Sequence, residues 1–277
     1  FDIKDRVLGF GARVLDNTLP KYINSPETFI YTKGKNLYGL NLSKDSIRER
    51  DYVVVVEGYL DFIIPYQAGL KNIVASLGTA LTPEQARLLK RYTHNVVMVY
   101  DPDTAGELAT LRSFDIFIEE GMDVKVVTLP KTYDPDLFVR EKGIESFKEK
   151  ILKAQNLFDY KLSILKIRHS VKEIEGKAKI ASSMLETINK FKNAVLKSEY
   201  IKKLAQELDV KEDALLQEAK KINIAKPIDD SEHLNNRKTL NINPTEKLLI
   251  KLMLEEKELI NKIRQNLEPA DFSDERT

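Results

Sequence analysis

The chain has 277 residues, of which 42% are hydrophobic and 31% charged, so it has enough apolar material for one large or two to three small globular domains. It contains no cysteine, which excludes disulfides and thiolate metal sites and predicts a cytoplasmic location. No signal segment opens the chain and no apolar run approaches the roughly 20 residues of a membrane span, so no membrane association is expected.

Residues 1–50 are predicted to be strand-rich. The run Val7–Leu15 contains two glycines, a pattern typical of a strand with a bulge or a close backbone approach. Residues 20–40 combine turn residues with aromatic side chains and three lysines. Because the chain begins at Phe1 inside this segment, we expect it to be a fragment of a longer protein.

Residues 51–140 alternate strand and helix patterns, which is the signature of β-α-β units. The Val-rich runs are continuous rather than alternating, as in strands that are buried on both faces. Strands are predicted at Tyr52–Val56, Lys71–Ala75, Asn95–Tyr100 and Asp123–Leu129. Helices are predicted at Tyr59–Ala68, after an N-cap at Thr82, at Thr104–Glu120 and at Pro135–Lys142. The sequence therefore predicts an α/β fold with a four-stranded, mostly parallel sheet and helices on both sides.

The rest of the chain is predicted to be helical. Residues 144–222 have spaced Leu, Ile and Ala with almost no Gly or Pro, which indicates a small bundle of helices. The predicted organisation is a strand-rich segment at 1–50, an α/β unit at 51–150, a helical bundle at 151–225, a polar linker at 226–243 and the start of a further helical domain at 244–277.

The net charge of +1 conceals a segregated distribution. Residues 51–150 hold 11 Lys and Arg against 16 Asp and Glu. Residues 1–50 hold 9 basic against 6 acidic residues, and residues 151–225 hold 15 against 10. An acidic segment between two basic ones suits a metal site that handles a polyanion. For residues 151–225 taken alone, a solvated Lys-rich helical surface is the preferred interpretation.

Acidic clusters follow three of the predicted strands, in the sequences VVVVEGYLD, NVVMVYDPD and VKVVTLPKTYDPD. Because the carboxyl ends of parallel strands meet at one edge, where open α/β sheets bind ligands, these acids should share one crevice. They are Glu57, Asp61, Asp101, Asp103, Asp134 and Asp136. Carboxylates at such range repel one another unless a cation lies among them, and a hard divalent cation such as Mg²⁺ prefers oxygen ligands.

Each cluster alone also fits a purely structural role. Glu57 could be a solvated loop acid, and Asp61 a first-turn acid that the helix dipole favours. Asp-Pro-Asp, which occurs at 101–103 and at 134–136, is good turn chemistry. The repetition of the pattern after three Val-rich strands favours the metal site.

The motifs EGYLD, YDPDTAG and DPD on a β-α-β frame resemble the Toprim fold, which primases, topoisomerases and some nucleases and recombination proteins share. The flanking sequences GFGARVL, PKYINSPET, YTKGKNLYGL, VASLGTALT and DPDLFVREKG resemble the RNA polymerase domain of bacterial DnaG-type primases more narrowly. The resemblance covers residues 1–150 with specific motifs and extends more weakly to residue 222.

This resemblance implies a cytoplasmic enzyme of DNA replication, a DNA-directed RNA polymerase that makes short RNA primers on single-stranded DNA from NTPs with Mg²⁺ or Mn²⁺. It implies that residues 1–50 form the end of the polymerase N-subdomain and that residues 51–150 form the Toprim catalytic subdomain. By position, Glu57, Asp101 and Asp103 match the metal-binding acids of the family, and Asp61, Asp134 and Asp136 match the other catalytic acids.

The resemblance also implies a group of basic residues, and two parts of the family's proteins that this chain lacks wholly or mostly. Positions that handle nucleotide or template are matched by Arg13, Lys21 and Lys33, with Tyr22 and Asn24 beside Lys21. The zinc-binding domain of the family has Cys and His ligands that this sequence lacks, so no zinc site is expected. The family binds the replicative helicase through a C-terminal domain, of which residues 244–277 resemble only the start, so that contact is expected to be mostly missing.

Three other functions share the acidic motifs. A topoisomerase would use the same acids with a catalytic tyrosine, but PKYINSPET and the EGY triplet argue against it. A Toprim nuclease would share the metal site and cut phosphodiesters. A non-catalytic Toprim module could serve as a DNA-binding scaffold, which six concentrated acids disfavour because a scaffold gains nothing from like charge.

Overall fold

A computed structural model describes residues 1–14, 22–76, 81–100, 111 and 115–225, with residues 22, 100 and 223–225 described by their backbone alone. The chain divides into two units, Phe1–Ile224 and Ala225–Thr277. The predicted linker at 226–243 and the predicted helical start at 244–277 lie outside the described residues.

The strands in these residues are β1 (Gly11–Arg13), β2 (Tyr22–Asn24), β3 (Val53–Val56), β4 (Ile73–Ala75), β5 (Asn95–Tyr100), β6 (Asp123–Thr128) and β7 (Gln155–Asn156). The helices are α1 (Leu40–Arg50), α2 (Tyr59–Gln67), α3 (Pro83–Lys90), α4 (Pro135–Leu152), α5 (Leu157–Arg168), α6 (Ile174–Ile188), α7 (Ala194–Leu208) and α8 (Glu212–Ala225). Residues 115–119 are also helical, and Lys33–Lys35 forms a 3-10 turn.

The central sheet has the strand order β4-β3-β5-β6-β7. Strand β3 is parallel to β4 and β5, and β5 is parallel to β6, which confirms the mostly parallel sheet. The described sheet has a fifth strand, β7, which runs antiparallel to β6. Its two residues, Gln155 and Asn156, are polar and too few to produce an apolar pattern, which is why the sequence did not predict it.

Alternate valines of β3 face opposite layers of helices. Val53 and Val55 pack in a cluster with residues of α1, α3 and α5, whereas Val54 and Val56 pack with residues of α2 and α4. All four side chains are at most 1% exposed, and full burial of one valine contributes about 1.5–3 kcal/mol. The sheet is therefore covered on both faces, as the continuous Val-rich run predicts.

The helices α5 to α8 enclose an apolar core of their own, which confirms the predicted helical region. Leu162, Met184, Leu204 and Leu215 contribute one buried residue from each of these helices. Among the helices that the structure describes, none is both long and apolar enough to span a membrane.

The N-terminal 50 residues contain less strand than the sequence predicts. The antiparallel pair β1 and β2 has three residues in each strand, and helix α1 occupies Leu40–Arg50. Leu40, Ser43 and Ile47 lie on one buried face of this helix, and the Ser43 hydroxyl donates a hydrogen bond to the Ile73 carbonyl at 2.6 Å. The sequence does not predict this helix, because its apolar positions are few.

The predicted helix Pro135–Lys142 is the first part of α4, which continues to Leu152. Gly143 interrupts the helical backbone with φ +81° and ψ 160°, a conformation that glycine adopts without a steric penalty. The predicted end of the helix therefore marks a kink.

Candidate functional site

The first acidic cluster lies where β3 ends and α2 begins. Glu57 follows the last residue of β3 directly and is exposed, and Asp61 lies in the first turn of α2. Since β3, β5 and β6 are parallel, the segments that follow them leave the same edge of the sheet. Asp101 and Asp103, which follow β5, lie outside the described residues, as does Lys21.

Asp61 joins the first acidic cluster to the third. Its Oδ2 accepts a hydrogen bond from the Gly58 backbone N–H at 3.0 Å. Its Oδ1 accepts one from the backbone N–H of Asp136, 75 residues further along the chain, at 3.4 Å. The two acidic segments that the sequence places after separate strands are thus in direct contact.

Both acids of the third cluster, Asp134 and Asp136, belong to the start of α4. Asp134 is the N-cap of this helix, and its carboxylate accepts a hydrogen bond from the Leu137 N–H at 2.7 Å. Asp136 forms an ion pair with Arg140 one turn later. Asp134 therefore has the capping role that Asp-Pro-Asp turn chemistry favours.

The electrostatic environment of Asp61 opposes its ionisation. Burial and the negative charge of Asp134 raise the pKa of Asp61 from 3.8 to about 6, while the hydrogen bonds from Gly58 and Asp136 act in the opposite direction. A cation at this edge would favour the ionised carboxylate. Within the described part of the chain, however, no three acidic or histidine side chains form a group that could hold a metal ion.

The basic hairpin formed by β1 and β2 packs against the start of α2 through Tyr59. The Tyr59 hydroxyl donates a hydrogen bond to Asn24 Oδ1 at 2.5 Å. Burial raises the pKa of Tyr59 to about 12, so its hydroxyl keeps the proton that it donates. A Cβ on Gly11 would lie 2.2 Å from the Tyr59 oxygen, so the close approach of the strand requires glycine.

The hairpin carries three of the predicted basic and polar site residues. Arg13 of β1 is paired in register with Tyr22 of β2, and Gly11 is paired with Asn24. A cavity of about 340 Å³ lies between β1 and α2, and Arg13, Tyr38 and Tyr59 are among its lining residues. The side chain of Asn24 is held by Tyr59, a contact that the sequence did not predict.

Lys33, the remaining basic position, lies in the 3-10 turn Lys33–Lys35. Three residues after this turn, Tyr38 pairs with Ala75 of β4 through reciprocal backbone hydrogen bonds of 2.9 and 3.0 Å. The turn is therefore separated by only a few residues from a segment that pairs with the carboxyl end of β4. Thr82 and Gln85, at the start of α3, hold its backbone.

The sequence indicates Thr82 only as a helix cap and indicates no role for Gln85 or for the Tyr59 hydroxyl. Thr82 and Gln85 form a capping box, which the spacing Thr-x-x-Gln can reveal. The EGY triplet drew attention to the position of Tyr59 without indicating its contact with Asn24.

Three family models match separate parts of the chain. The model of the DNA primase catalytic core, N-terminal domain, matches residues 1–44, and a Toprim-like model matches residues 54–139. The model of the DnaB-helicase binding domain of primase matches residues 158–213, in the helical region. The sequence instead predicts the start of such a domain at 244–277.

Named relatives and solved structures agree with these matches. A DNA primase of Clostridium acetobutylicum is 41% identical over 281 residues, which cover 98% of this chain and 46% of the relative. A DNA primase domain from Pseudomonas aeruginosa is similar with a TM-score of 0.72 and 34% identity, covering 79% of this chain and 70% of that one. A DnaG primase catalytic domain bound to ssDNA is similar with a TM-score of 0.67 and 35% identity, covering 74% of this chain and 67% of that one. The chain spans less than half the length of the curated relatives that it matches.

Proposed function

This chain belongs to the family of DnaG-type bacterial DNA primases, and on that premise we propose that it forms the catalytic part of an enzyme that makes short RNA primers on a single-stranded DNA template. The observation that carries this proposal is the contact between Asp61 and Asp136, which brings two acidic segments together at the carboxyl edge of a parallel sheet. The hairpin contacts the start of α2 at this edge, and the Lys33–Lys35 turn precedes Tyr38, which pairs with the last residue of β4.

The donor chemistry at this edge fits a hard divalent cation, Mg²⁺ or Mn²⁺. The predicted ligands are carboxylates, and burial together with the negative charge of Asp134 raises the pKa of Asp61 at this edge. In this proposal Glu57, Asp101 and Asp103 would hold the metal, Asp134 and Asp136 would complete or orient its ligand shell, and Asp61 would be a further acid of the site. When bound, such a cation would favour ionisation of the attacking hydroxyl and neutralise charge on the pyrophosphate that leaves.

The residues of the chain orient and bind the reactants in this proposal. Primer extension joins the 3′-hydroxyl oxygen of the growing strand to the α-phosphorus of an NTP and breaks the bond to pyrophosphate. Arg13, Lys21 and Lys33 would bind phosphate groups of the NTP or of the template. Tyr22 and Asn24 adjoin Lys21, and the Tyr59 contact fixes the hairpin that carries them.

Asp61 has a positioning role in the same proposal. Its two carboxylate oxygens accept one backbone N–H from each acidic segment, so it sets the distance between the end of β3 and the start of α4. Ionisation of this carboxyl, which burial and Asp134 oppose, would be favoured by a bound cation.

The partners in this proposal are single-stranded DNA, NTPs and the replicative helicase, and the place of action is the cytoplasm. The match at residues 158–213 favours a helicase contact on the helical region of this chain, in addition to any contact in residues 244–277. The division into a polymerase subdomain at 1–50, a Toprim subdomain at 51–150 and a helical subdomain at 151–225 is part of the proposal.

Metal-dependent stabilisation tests this function. The thermal midpoint of the chain would be measured with and without millimolar Mg²⁺ or Mn²⁺, and then with added NTP, for the wild type and for Asp101→Ala/Asp103→Ala. We expect the wild type to gain stability by mass action and the double variant to lose that gain.

A matched control is Glu173→Ala/Glu175→Ala, which removes two exposed acids with the same spacing from the helical region. It should keep the full response to metal. Primer synthesis by the intact protein with each pair of substitutions then follows. A wild type that responds to neither metal nor NTP would favour the DNA-binding scaffold instead.

A further inference from the structure

The Lys33–Lys35 turn is held by side chains that lie about 50 residues away in the sequence. The Thr82 hydroxyl donates a hydrogen bond to the Gly34 carbonyl and accepts one from the Gln85 backbone N–H at 3.1 Å. A Cβ on Gly34 would lie 3.0 Å from the Thr82 methyl carbon, so the turn and the start of α3 are in close contact.

Gln85 completes this attachment from a fully buried position. Its side chain is 0% exposed, and its amide nitrogen donates to the Asn36 carbonyl at 2.8 Å and to the Lys33 carbonyl at 3.3 Å. Its amide oxygen accepts from the Thr82 backbone N–H at 3.2 Å. Both polar atoms of the side chain therefore serve to join the turn to the helix cap.

The capping box of α3 thus has a second use beyond starting the helix. The carbonyls of Lys33, Gly34 and Asn36 all accept hydrogen bonds from Thr82 or Gln85. A lysine on a turn whose backbone is fixed loses less conformational freedom on binding a phosphate than one on a free loop.

We propose that Thr82 and Gln85 are positioning residues, which hold the Lys33–Lys35 turn where the Lys33 ammonium binds a phosphate group of the template strand or of an NTP. The inference rests on the proposed function, because it assumes that Lys33 contacts phosphate. It assigns to Thr82, the N-cap of α3, and to Gln85, in its first turn, an effect on phosphate binding that acts through the Lys33–Lys35 turn.

The salt dependence of binding separates this role from mere support of the fold. For single strands, each lost phosphate contact lowers the slope of log K against log salt by roughly 0.7. Anisotropy of a labelled oligo(dT) would be measured across a salt series for the wild type, Lys33→Ala, Thr82→Val and Thr82→Ser. If the phosphate belongs to the template, Lys33→Ala and Thr82→Val should each reduce the slope by the amount that corresponds to about one phosphate contact.

The double variant Lys33→Ala/Thr82→Val then tests whether the two residues act together. It should lose no more than Lys33→Ala alone, because the hydroxyl acts only through the turn. Thr82→Ser keeps the hydroxyl and should keep the wild-type slope. The same series with ATP in place of oligo(dT) should show the loss instead if the phosphate belongs to the nucleotide.

Two further variants keep the test decisive if Thr82→Val unfolds the chain. Gly34→Ala pushes the turn away from the Thr82 methyl group and should reproduce the loss, and Gly34→Ala/Thr82→Ser removes that methyl group and should restore binding. Asn193→Ala removes the N-cap of the distant helix α7 and should leave the slope unchanged, as a control for loss of a cap.

The outcomes distinguish this inference from the function on which it rests. If Lys33→Ala changes the slope for neither ligand, the role of Lys33 in the proposed function is wrong and the inference falls with it. If Lys33→Ala lowers the slope while Thr82→Val and Gly34→Ala do not, only the positioning role is overturned.

Discussion

Replacement of Asp61 by Asn is expected to stabilise the metal-free chain at alkaline pH. Burial and the charge of Asp134 raise the pKa of Asp61 from 3.8 to about 6. An acid with a higher pKa in the folded than in the unfolded chain contributes stability at low pH, and this contribution is lost as pH rises through that interval. Above this pH interval Asp61 is ionised in the folded chain, although burial and the charge of Asp134 disfavour the ionised form, and Asn removes that negative charge.

The magnitude follows from the pKa and the hydrogen bonds. A shift of about 2 pKa units corresponds to about 3 kcal/mol at pH 8. Asn has one carbonyl oxygen, so either the Gly58 or the Asp136 N–H loses its acceptor, at a cost of about 1 kcal/mol. The net gain for Asp61→Asn is therefore about 2 kcal/mol at pH 8, and it should fall by about 1 kcal/mol at pH 5, where the folded wild type is mostly protonated.

Urea unfolding at pH 8 and pH 5, with a chelator present, measures this difference. Asp45→Asn, which changes an acid of α1 with a side chain that is 83% exposed, controls for the general loss of one negative charge. A change in the free energy of unfolding that is equal at the two pH values would refute the electrostatic reasoning. A larger destabilisation by Asp61→Asn at pH 8 than at pH 5 would mean that the pH dependence has the opposite sign to the expected one.

Three further substitutions test contacts of the fold by urea unfolding. Tyr59→Phe should cost about 1 kcal/mol because it removes a partly buried hydrogen bond, and an equal cost for Tyr66→Phe, whose hydroxyl contact is 3.5 Å long, would contradict a specific anchor. Gly39→Ala should cost more than Gly69→Ala. Both backbones have positive φ, but an added Cβ meets a phenyl ring at 2.1 Å only at the first, so similar costs would exclude the steric effect. Gly176→Ala should cost about 1–3 kcal/mol because its methyl group would lie 2.0 Å from a backbone carbonyl oxygen, and an unchanged stability would contradict that approach.

The sequence predicts those parts of the fold in which each residue has one consistent environment. The valines of β3 are buried on both faces, so their continuous apolar run indicates a central parallel strand. The N-cap at Thr82 is equally local, because its hydroxyl accepts from a backbone N–H only three residues away. The order of acids after strands then predicts which edge carries the candidate site.

Contacts between distant segments could not be predicted in the same way. The hydrogen bond from Asp136 N–H to Asp61 depends on how two helices start relative to one sheet, which no local pattern encodes. The carbonyls that Gln85 binds belong to a turn about 50 residues earlier. The sequence does not predict helix α1 because few of its residues are apolar. One of its buried positions is the polar Ser43, so the apolar spacing of a buried helix face is incomplete.

The shortest strand of the sheet has a mechanical consequence. Asn156 is the last residue of β7 and also the N-cap of α5. Its side-chain Oδ1 accepts a hydrogen bond from the Asp159 backbone N–H at 2.8 Å. A rotation of α5 about its start would therefore break the pairing of Asn156 with Lys125 in β6. Since β6 leads to Asp134 and Asp136, a displacement of this helix would act on the strand that precedes the third acidic cluster.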